Sequence, residues 1–373
     1  MKQLFFFLLL CLASCSEYKA LTNEVTIVSR DSIVYFADKE MDIVNVNISG
    51  VNHQLLFDTG AGPTVLYNPK FDLSKIEFVK ERTVYGFDKK QKIKLKGYVV
   101  DSFACGSYKM LNKYLFVAPV SKLSCGGTFK YDGVAARFVP HWDALTELNY
   151  QEGFIRFSKK PDLSGYYSLE AKFVPYNGMF YIKLEVEGIS DYFLFDTGNT
   201  TLTMLNKKIF TKPYNKLLTL QTLNVSVSDA LFPMYIEVFP KQIKIGQFEF
   251  NYTVGIDQQS ERSIVSATFI KNFNWIIDQK NNKVYCKPIN PAKLLNKKEI
   301  KIPENLVRAT VWKDELLVGY LNFESEIYHL GDRIIEVDHQ KVNAENACEM
   351  ATRLNSTSWR EIKIVTVPAS KHY

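Results

Sequence analysis

Two aspartates in closely matched surroundings are the residues of this chain best suited to chemistry. The tripeptide Asp-Thr-Gly occurs at 58–60 and again at 196–198, and each copy follows an apolar segment that ends on Phe. A glycine stands eight residues before each aspartate, so two segments 138 residues apart match beyond the tripeptide itself. Two carboxyl groups within hydrogen-bonding distance cannot both ionise, so one pKa rises and the pair shares a proton. Such a pair can activate a water and protonate a carbonyl oxygen, without a metal or a covalent intermediate.

The two turns also carry a family resemblance. Phe57-Asp58-Thr59-Gly60-Ala61 and Phe195-Asp196-Thr197-Gly198-Asn199 resemble the active-site turns of the aspartic peptidases, both retropepsin-like and pepsin-like. The resemblance implies a catalytic pair of aspartates, threonines that hold the two turns together and glycines that let the backbone approach. The residues it places in the site are catalytic Asp58 and Asp196, with Thr59, Gly60, Thr197 and Gly198 as turn support. Retropepsins assemble the pair from two chains, whereas this chain carries both turns, which implies a monomer with two lobes.

Strands must deliver these turns. Apolar and polar residues alternate with period two over Ile43–Ile48 and again over Tyr181–Val186, which predicts a half-buried strand before each turn. The resemblance implies an all-β dominated, bilobal pepsin-like fold, a duplicated retropepsin-like unit with lobes at 24–161 and 162–288. We expect a short helix from His141 to Leu148 in the first lobe and a second one after Ser263-Ile264-Val265-Ser266-Ala267 in the second.

A hairpin in the first lobe resembles the substrate flap of these peptidases. Thr83-Val84-Tyr85-Gly86-Phe87 lies less than thirty residues after Asp58. The resemblance implies that Tyr85 covers the scissile bond and that Gly86 lets the hairpin tip flex. An ordinary hairpin with a surface tyrosine is the alternative. The second lobe has no clear Tyr-Gly pair at the corresponding place, so we expect one flap.

The segments that should pack beneath the turns depart from the family pattern. Val134-Ala135-Ala136 and Ile264-Val265-Ser266 hold the corresponding places, and both lack the glycine that the family usually has there. An added side chain is tolerated only if the segment sits slightly lower, so the effect of Ala136 and Ser266 on the aspartate pair stays open. Ala61 and Asn199, directly after the turns, would tune the sharing of the proton.

The N-terminus suggests export. Lys2 is followed by an apolar run too short to span a bilayer as a mature helix, so residues 1–15 are typical of a signal peptide. Leu12-Ala13-Ser14-Cys15 resembles a bacterial lipobox, which implies lipidation at Cys15 and a tether over 16–23. The protein would then be anchored in the bacterial cell envelope outside the cytoplasm, facing the periplasm or the cell exterior. A plain secretory signal with an incidental Cys15 is the alternative.

Cysteines and histidines give no metal-binding pattern. Cys105 and Cys125 each adjoin a glycine in the first lobe and could form a disulfide in an oxidising compartment, but buried free thiols fit equally well. The five histidines are dispersed along the chain. No metal site is therefore predicted, and the expected chemistry needs no cofactor.

The C-terminal part resembles a second family. After a linker over 289–303, residues 304–373 contain His329-Leu330-Gly331-Asp332-Arg333-Ile334, which resembles the Leu-Gly-Asp-x-Ile strand of PDZ domains. The resemblance implies a small α+β PDZ-like domain with strands near 307–311, 316–321 and 361–367 and a helix near 346–354. PDZ domains bind a peptide as an added strand beside that helix, so a peptide ligand is an implied partner. No carboxylate-binding glycine loop is evident, and a working groove stays open.

Composition excludes several other classes. The chain has 373 residues, of which 46% are hydrophobic and 14% aromatic, enough for more than one core. Its 46 Lys and Arg against 40 Asp and Glu form no basic stripe, so nucleic acid is not an expected partner. Neither Gly-x-Ser-x-Gly nor His-Glu-x-x-His occurs, which disfavours a serine or zinc peptidase.

The sequence therefore predicts a membrane-anchored aspartic endopeptidase that acts on peptide or protein substrates. A catalytically silent peptide-binding lipoprotein is the alternative, and the missing glycines favour it modestly. The presence of both aspartates favours the hydrolase, because a buried charged pair is costly to keep without a use.

Overall fold

The computed structural model is dominated by β-strands. It describes residues 25–27, 32–67, 69–85, 92–118, 131–136, 145–174, 178–211, 216–225, 231–257, 261–295 and 306–368. None of the helices in these ranges has the length and apolar character of a membrane span. The expected signal peptide with Cys15, and the tether that follows it, lie outside the described residues.

The first repeat carries Asp58. Its strands are β1 (Val25–Ile27), β2 (Ser32–Asp38), β3 (Ile43–Ile48), β4 (Val51–Asp58), β5 (Val65–Leu66), β6 (Glu77–Tyr85), β7 (Lys92–Cys105), β8 (Tyr108–Val117), β9 (Gly133–Ala136), β10 (Leu145–Asn149) and β11 (Phe154–Ser158). β3 pairs with β4 and β7, and β4 runs parallel to β9. The short strand β5 lies between β8 and β9, and β6 forms a long hairpin with β7.

The second repeat carries Asp196 and has the same connections. Its strands are β12 (Tyr167–Phe173), β13 (Phe180–Val186), β14 (Ile189–Phe195), β15 (Thr203–Met204), β16 (Leu218–Val225), β17 (Leu231–Ile245), β18 (Phe248–Asp257), β19 (Ser263–Val265), β20 (Phe273–Asp278) and β21 (Lys283–Pro288), with helix α1 (Ala267–Ile270) between β19 and β20. β13 pairs with β14 and β17, and β14 runs parallel to β19. β15 lies between β18 and β19. The internal repeat read from the sequence is therefore a repeat of topology.

Tight turns explain the glycine eight residues before each aspartate. Ser49 and Gly50 join β3 to β4 with φ values of 47° and 88°, and Glu187 and Gly188 join β13 to β14 with 52° and 80°. Two consecutive residues at positive φ are the geometry of the two-residue turn that suits a twisted hairpin, and glycine adopts it without steric cost. Because the turn fixes the register, each returning strand presents its aspartate at the same height.

One antiparallel sheet joins the two repeats. Its strands lie in the order β2, β11, β10, β20, β21 and β12, so that β10 of the first repeat pairs directly with β20 of the second. Above this sheet the cores of both repeats merge into one hydrophobic cluster. Phe57 and Phe195, which precede the two aspartates, are fully buried in this cluster. The Phe195 ring packs edge to face on Trp275, with 4.9 Å between the ring centroids. Burial of each such ring contributes about 1.5–3 kcal/mol, which anchors both turns from below.

Residues 306–368, called here the C-terminal unit, have a hydrophobic cluster of their own. The unit contains β22 (Val307–Trp312), β23 (Glu315–Leu321), β24 (Arg333–Val337), β25 (Gln340–Lys341), helix α3 (Ala347–Ser356) and β26 (Ile364–Val367). The strands and the helix expected here are confirmed to within about three residues. The expected linker contains a short helix, α2 (Pro291–Leu295), which buries Leu294.

The helix expected from His141 to Leu148 was wrong where the structure describes it. Leu145–Asn149 is strand β10, paired with β11 on one side and with β20 on the other. A helix at this place would leave backbone groups of both neighbouring strands without partners at the centre of the joining sheet, and extended backbone satisfies them. Residues 141–144 lie outside the described residues. The helix expected in the second lobe is confirmed as α1.

The second repeat also has a long hairpin, which the sequence did not reveal, and the expectation of a single flap stays a prediction. β16 and β17 form a long antiparallel hairpin from Leu218↔Val238 to Val225↔Leu231, at the same point of the topology as β6 and β7. The search for a Tyr-Gly pair missed it because hairpin pairing depends on strand length and register, not on that dipeptide.

Candidate active site

The two aspartates end corresponding strands and are held by corresponding bonds. Asp58 Oδ1 accepts hydrogen bonds from the backbone N–H groups of Gly60 (2.8 Å) and Ala61 (3.0 Å). Asp196 Oδ1 accepts from those of Gly198 and Asn199, both at 3.0 Å. Each carboxyl group therefore has one oxygen fixed by its own turn, and its orientation is set before any substrate binds.

The threonines cross-link the turns. Thr59 Oγ1 donates to the carbonyl of Phe195 (2.7 Å) and accepts from the N–H of Thr197 (3.1 Å). Thr197 Oγ1 donates to the carbonyl of Phe57 (2.7 Å) and accepts from the N–H of Thr59 (3.0 Å). Both threonine side chains are buried, so the bonds do not compete with water. We call this contact between residues 57–61 and 195–199 the seam.

The turn glycines bring the carboxyl groups face to face. A Cβ atom added to Gly60 would lie 2.6 Å from both carboxylate oxygens of Asp196. A Cβ atom added to Gly198 would overlap the carboxyl group of Asp58 in the same way. Each aspartate thus packs on the glycine of the opposite turn. The carboxyl groups of Asp58 and Asp196 therefore face each other across the seam, and each affects the pKa of the other.

Burial dominates the electrostatics of the pair. It raises the pKa of both aspartates, because a charged carboxylate loses its hydration there. The negative charge of Asp58 and the interaction between the two carboxyl groups raise the pKa of Asp196 further, while backbone N–H groups and the same interaction lower that of Asp58. The two carboxyl groups therefore titrate together, so that a proton bound there belongs to the pair and not to one residue.

Ala136 and Ser266 fit beneath the turns without separating the carboxyl groups. The Ala136 N–H donates to Thr64 Oγ1 at 3.3 Å, and the Ser266 N–H donates to Thr203 Oγ1 at 3.4 Å. The Ser266 hydroxyl is buried and lies 2.9 Å from Thr268 Oγ1. The residues that replace glycine are thus held by matching hydrogen bonds from their backbone N–H groups to a threonine in each repeat.

The expected flap residues are only partly described. Tyr85 is the last residue of β6, where its backbone is paired with Lys92 of β7. The Tyr85 side chain and the whole of Gly86 lie outside the described residues. Their proposed contact with substrate stays a prediction.

Two tyrosines near Asp58 were not anticipated. Tyr67 follows β5 and Tyr131 precedes β9, and their ring centroids lie 6.4 Å apart. Burial, and then the negative charge of Asp58 among other contributions, raises the pKa of both hydroxyl groups. Nothing in the sequence singled them out among 21 tyrosines. Their placement depends on the antiparallel pairing of β5 with β9, which brings segments distant in the sequence together.

An ion pair between the repeats was also missed. Lys271, directly after α1, lies with Nζ 2.9 Å from Oδ1 of the fully buried Asp42. The carbonyl of Asp42 accepts the N–H of Phe57, one residue before the catalytic candidate Asp58. Burial raises the pKa of Asp42 to about 6 although Lys271 lowers it. No spacing pattern links residues so far apart in the sequence.

Two cysteines of the described residues are free thiols. Cys105 is a buried free thiol, so it does not form the disulfide considered with Cys125, and Cys286 is also free and buried. Within the described ranges, no three His, Cys, Asp or Glu side chains are grouped as ligands for a metal ion.

Comparison with protein-family models and with curated proteins finds no match to this chain.

Proposed function

We propose that this chain is an aspartic-type endopeptidase whose two repeats form the lobes of a bilobal, pepsin-like unit. The observation that carries the proposal is the pair of half-buried carboxyl groups, Asp58 and Asp196, which the turn glycines and the crossed threonines hold face to face at the seam. Few structural roles require two half-buried carboxyl groups face to face, since their desolvation is costly. General acid–base catalysis of hydrolysis can use such a pair, with one group as the base and the other as the acid.

The proposed reaction conserves the proton of the pair. One carboxylate takes a proton from a water, the water oxygen bonds to the peptide carbonyl carbon, and the other carboxyl group gives its proton to the carbonyl oxygen. In the tetrahedral intermediate the C–N bond then breaks. The amine nitrogen leaves with a proton from the pair, while a hydroxyl of the intermediate returns one to it. The fixed orientation of each carboxyl group supplies the alignment that both steps need.

We also propose that the protein is a lipoprotein anchored through Cys15 and that the C-terminal unit is PDZ-like. The apolar run and the Leu-Ala-Ser-Cys sequence support the first statement. The strand order around α3 and the Gly331-Asp332 turn ahead of β24 support the second. Retention of a labelled fatty acid by the native chain, and its loss in Cys15→Ser, would test the anchor.

The alternative is a lipoprotein that binds peptides without cutting them. The side chains of Ala136 and Ser266 are the observation in its favour, because the related peptidases usually have glycine there. Against it, both aspartates and both threonines are present and bonded as a catalytic pair would require. The two functions differ in one measurable respect, which is whether bound peptide is hydrolysed.

The test uses the full chain, purified in detergent and mixed with denatured casein between pH 3 and pH 8. We expect cleavage with a bell-shaped pH dependence, because the pair must carry one proton. Asp58→Asn should lose activity by about 10²–10⁴-fold. Asp101→Asn, an exposed aspartate on β7, is the matched control and should cleave normally. Equal cleavage by Asp58→Asn would exclude the pair mechanism, and casein binding without cleavage at any pH would favour the alternative.

A further inference from the structure

The hairpin β16–β17 of the second repeat is paired with the C-terminal unit. The outer edge of β16 forms an antiparallel ladder with β23, in which Gln221 lies opposite Leu321 and Thr222 opposite Tyr320. Gln221 Nε2 also donates to the carbonyl of Phe323 at 3.4 Å. The sheet of the second repeat therefore continues into the C-terminal unit across this edge.

An ion pair extends the same contact beyond the ladder. Lys216 Nζ lies 3.9 Å from Glu324 Oε1, just before β16 begins. Both side chains are substantially exposed, so the pair alone contributes little to the stability of the contact. Together with the ladder it fixes which part of the C-terminal unit faces the hairpin.

Strand β23, which pairs with β16, is firmly held within the C-terminal unit. Leu321 is buried in the hydrophobic cluster of that unit and pairs with Val307 of β22 on the side away from β16. The side chain of Asn322, itself buried, accepts the N–H of Leu306 at 2.6 Å, and the N–H of Asn322 donates to the carbonyl of Leu306. β23 therefore offers β16 a fixed edge, not a loose segment.

The hairpin is in turn linked to the strand that carries Asp196. Leu218 and Leu220 of β16 pack against a hydrophobic cluster that contains Leu194 of β14 and Ile264 of β19. Leu194 lies two residues before Asp196. A restraint on β16 is thus passed through apolar contacts to the strand beneath the candidate site.

The described residues show no equivalent ladder in the first repeat. Within them, β6 pairs with β7 and with no other strand, and Phe78 on β6 is 53% exposed. The two hairpins occupy the same position in the repeated topology, and in the described part of the chain the ladder with β23 distinguishes the second from the first.

The groove of the C-terminal unit is closed where a peptide would add. Asn355 of α3 donates through Nδ2 to the carbonyl of Ala309 (3.0 Å) and accepts the N–H of Ala309 through Oδ1 (2.9 Å). Ala309 lies on β22, and these backbone groups are the ones that an added peptide strand would have to bond. The Asn355 side chain already bonds both backbone groups of Ala309. A peptide would therefore have to break these two half-buried hydrogen bonds before it could add to β22.

We propose that the C-terminal unit is an internal brace that holds the β16–β17 hairpin fixed relative to β14, the strand that leads to Asp196. The proposal rests on the proposed peptidase function for its kinetic consequence, but the bracing itself is a physical property of the folded chain. Gln221, Thr222 and Lys216 are positioning residues in this scheme, since they act on substrate only through the hairpin.

The first experiment loosens the contact in the full chain. Lys216→Glu combined with Gln221→Glu replaces an ion pair and a hydrogen bond by repulsion from Glu324 and from the Phe323 carbonyl. Loss of the two contacts, and the repulsion that replaces them, should speed amide hydrogen exchange in 218–225 and 231–238 by about tenfold. Exchange in β10 and β20 of the joining sheet should not change. Adding Glu324→Lys restores an ion pair and should slow exchange of the hairpin again.

The second experiment locks the contact. Thr222→Cys combined with Tyr320→Cys places two half-buried cysteines directly opposite in an antiparallel ladder, within reach of a disulfide. A brace predicts that the oxidised variant cleaves casein as well as the reduced one, whereas the loosened variant shows a raised KM with kcat nearly unchanged. The native chain under the same redox conditions is the control.

Each outcome decides the proposal. Unchanged hairpin exchange in the loosened variant would overturn it, and so would a loss of cleavage on oxidation that reduction reverses, since the unit would then have to leave for catalysis. If no variant and not even the native chain cleaves any substrate, the peptidase proposal fails, while the exchange measurements still decide whether the hairpin is braced.

Discussion

The crossed threonines at the seam lead us to expect a large cost when Thr197 is replaced by valine. Valine keeps the shape of the side chain and removes the hydroxyl, which donates to the carbonyl of Phe57 and accepts the N–H of Thr59. Both partner groups would lose this hydrogen bond at a buried site. An unsatisfied buried polar group costs about 1–3 kcal/mol, so the free energy of unfolding should fall by roughly 2–6 kcal/mol.

Thr197→Ser is the matched control. Serine retains the hydroxyl and loses one methyl group, a cost of about 1 kcal/mol. Total stabilities of natural domains are about 5–15 kcal/mol, so the difference between the two variants is readily resolved. Denaturant unfolding followed by circular dichroism gives the stabilities, and casein cleavage gives the activity of each folded variant. We expect Thr197→Val to lose activity even where it is folded, because the turns are then free to shift relative to each other.

The reasoning would be refuted if valine and serine at 197 gave the same stability and the same cleavage rate. That result would mean that packing alone sets the distance between the turns and that the crossed bonds are incidental. A loss with both variants would instead point to the methyl group and its packing.

Three further predictions follow from the structure. Gly60→Ala should abolish cleavage, because its Cβ would lie 2.6 Å from the oxygens of Asp196, whereas Gly188→Asn, in an open turn at φ 80°, should leave the cleavage rate close to native. Asp42→Asn should flatten the pH dependence of stability. Burial raises the pKa of Asp42 from 3.8 to about 6, so the native chain loses about 3 kcal/mol of unfolding free energy as pH rises through that window. Unfolding measured at pH 4 and at pH 7.5 tests this, and an equal loss in both proteins would contradict it. Cys105 and Cys286 should resist iodoacetamide at pH 8 until denaturant is added, since burial raises the pKa of both thiols; peptide mass spectrometry reports the site, and rapid native labelling would contradict the burial.

Much of the local structure could be read from the sequence. The period-two alternation of Ile43–Ile48 and the glycines at 50 and 188 predicted two hairpins, and the turns at these glycines now account for the matched spacing to the aspartates. The strands and helix of the C-terminal unit followed from similar local patterns. These features depend on steric preferences and side-chain periodicity within a few residues, which a sequence displays directly.

Other elements were misread because their neighbours decide them. Leu145–Asn149 is a strand because β11 and β20 flank it, although its sequence is compatible with a helix. The hairpin of β16 and β17 lacks the dipeptide that marked its counterpart, and its pairing with β23 links segments about a hundred residues apart. Local propensity is weak beside such long-range pairing.

The sequence by itself determined that two matched carboxylates exist, each at the end of a buried strand and in front of a glycine that permits close approach. Only the tertiary structure decided that Asp58 packs on Gly198 and Asp196 on Gly60, that the threonines bond across the seam, and that Asn355 closes the edge of β22. The physical reason is that a turn is specified by the conformational limits of its own residues. The meeting of two turns 138 residues apart depends instead on the summed packing of the core beneath them and on the sheet that joins the repeats.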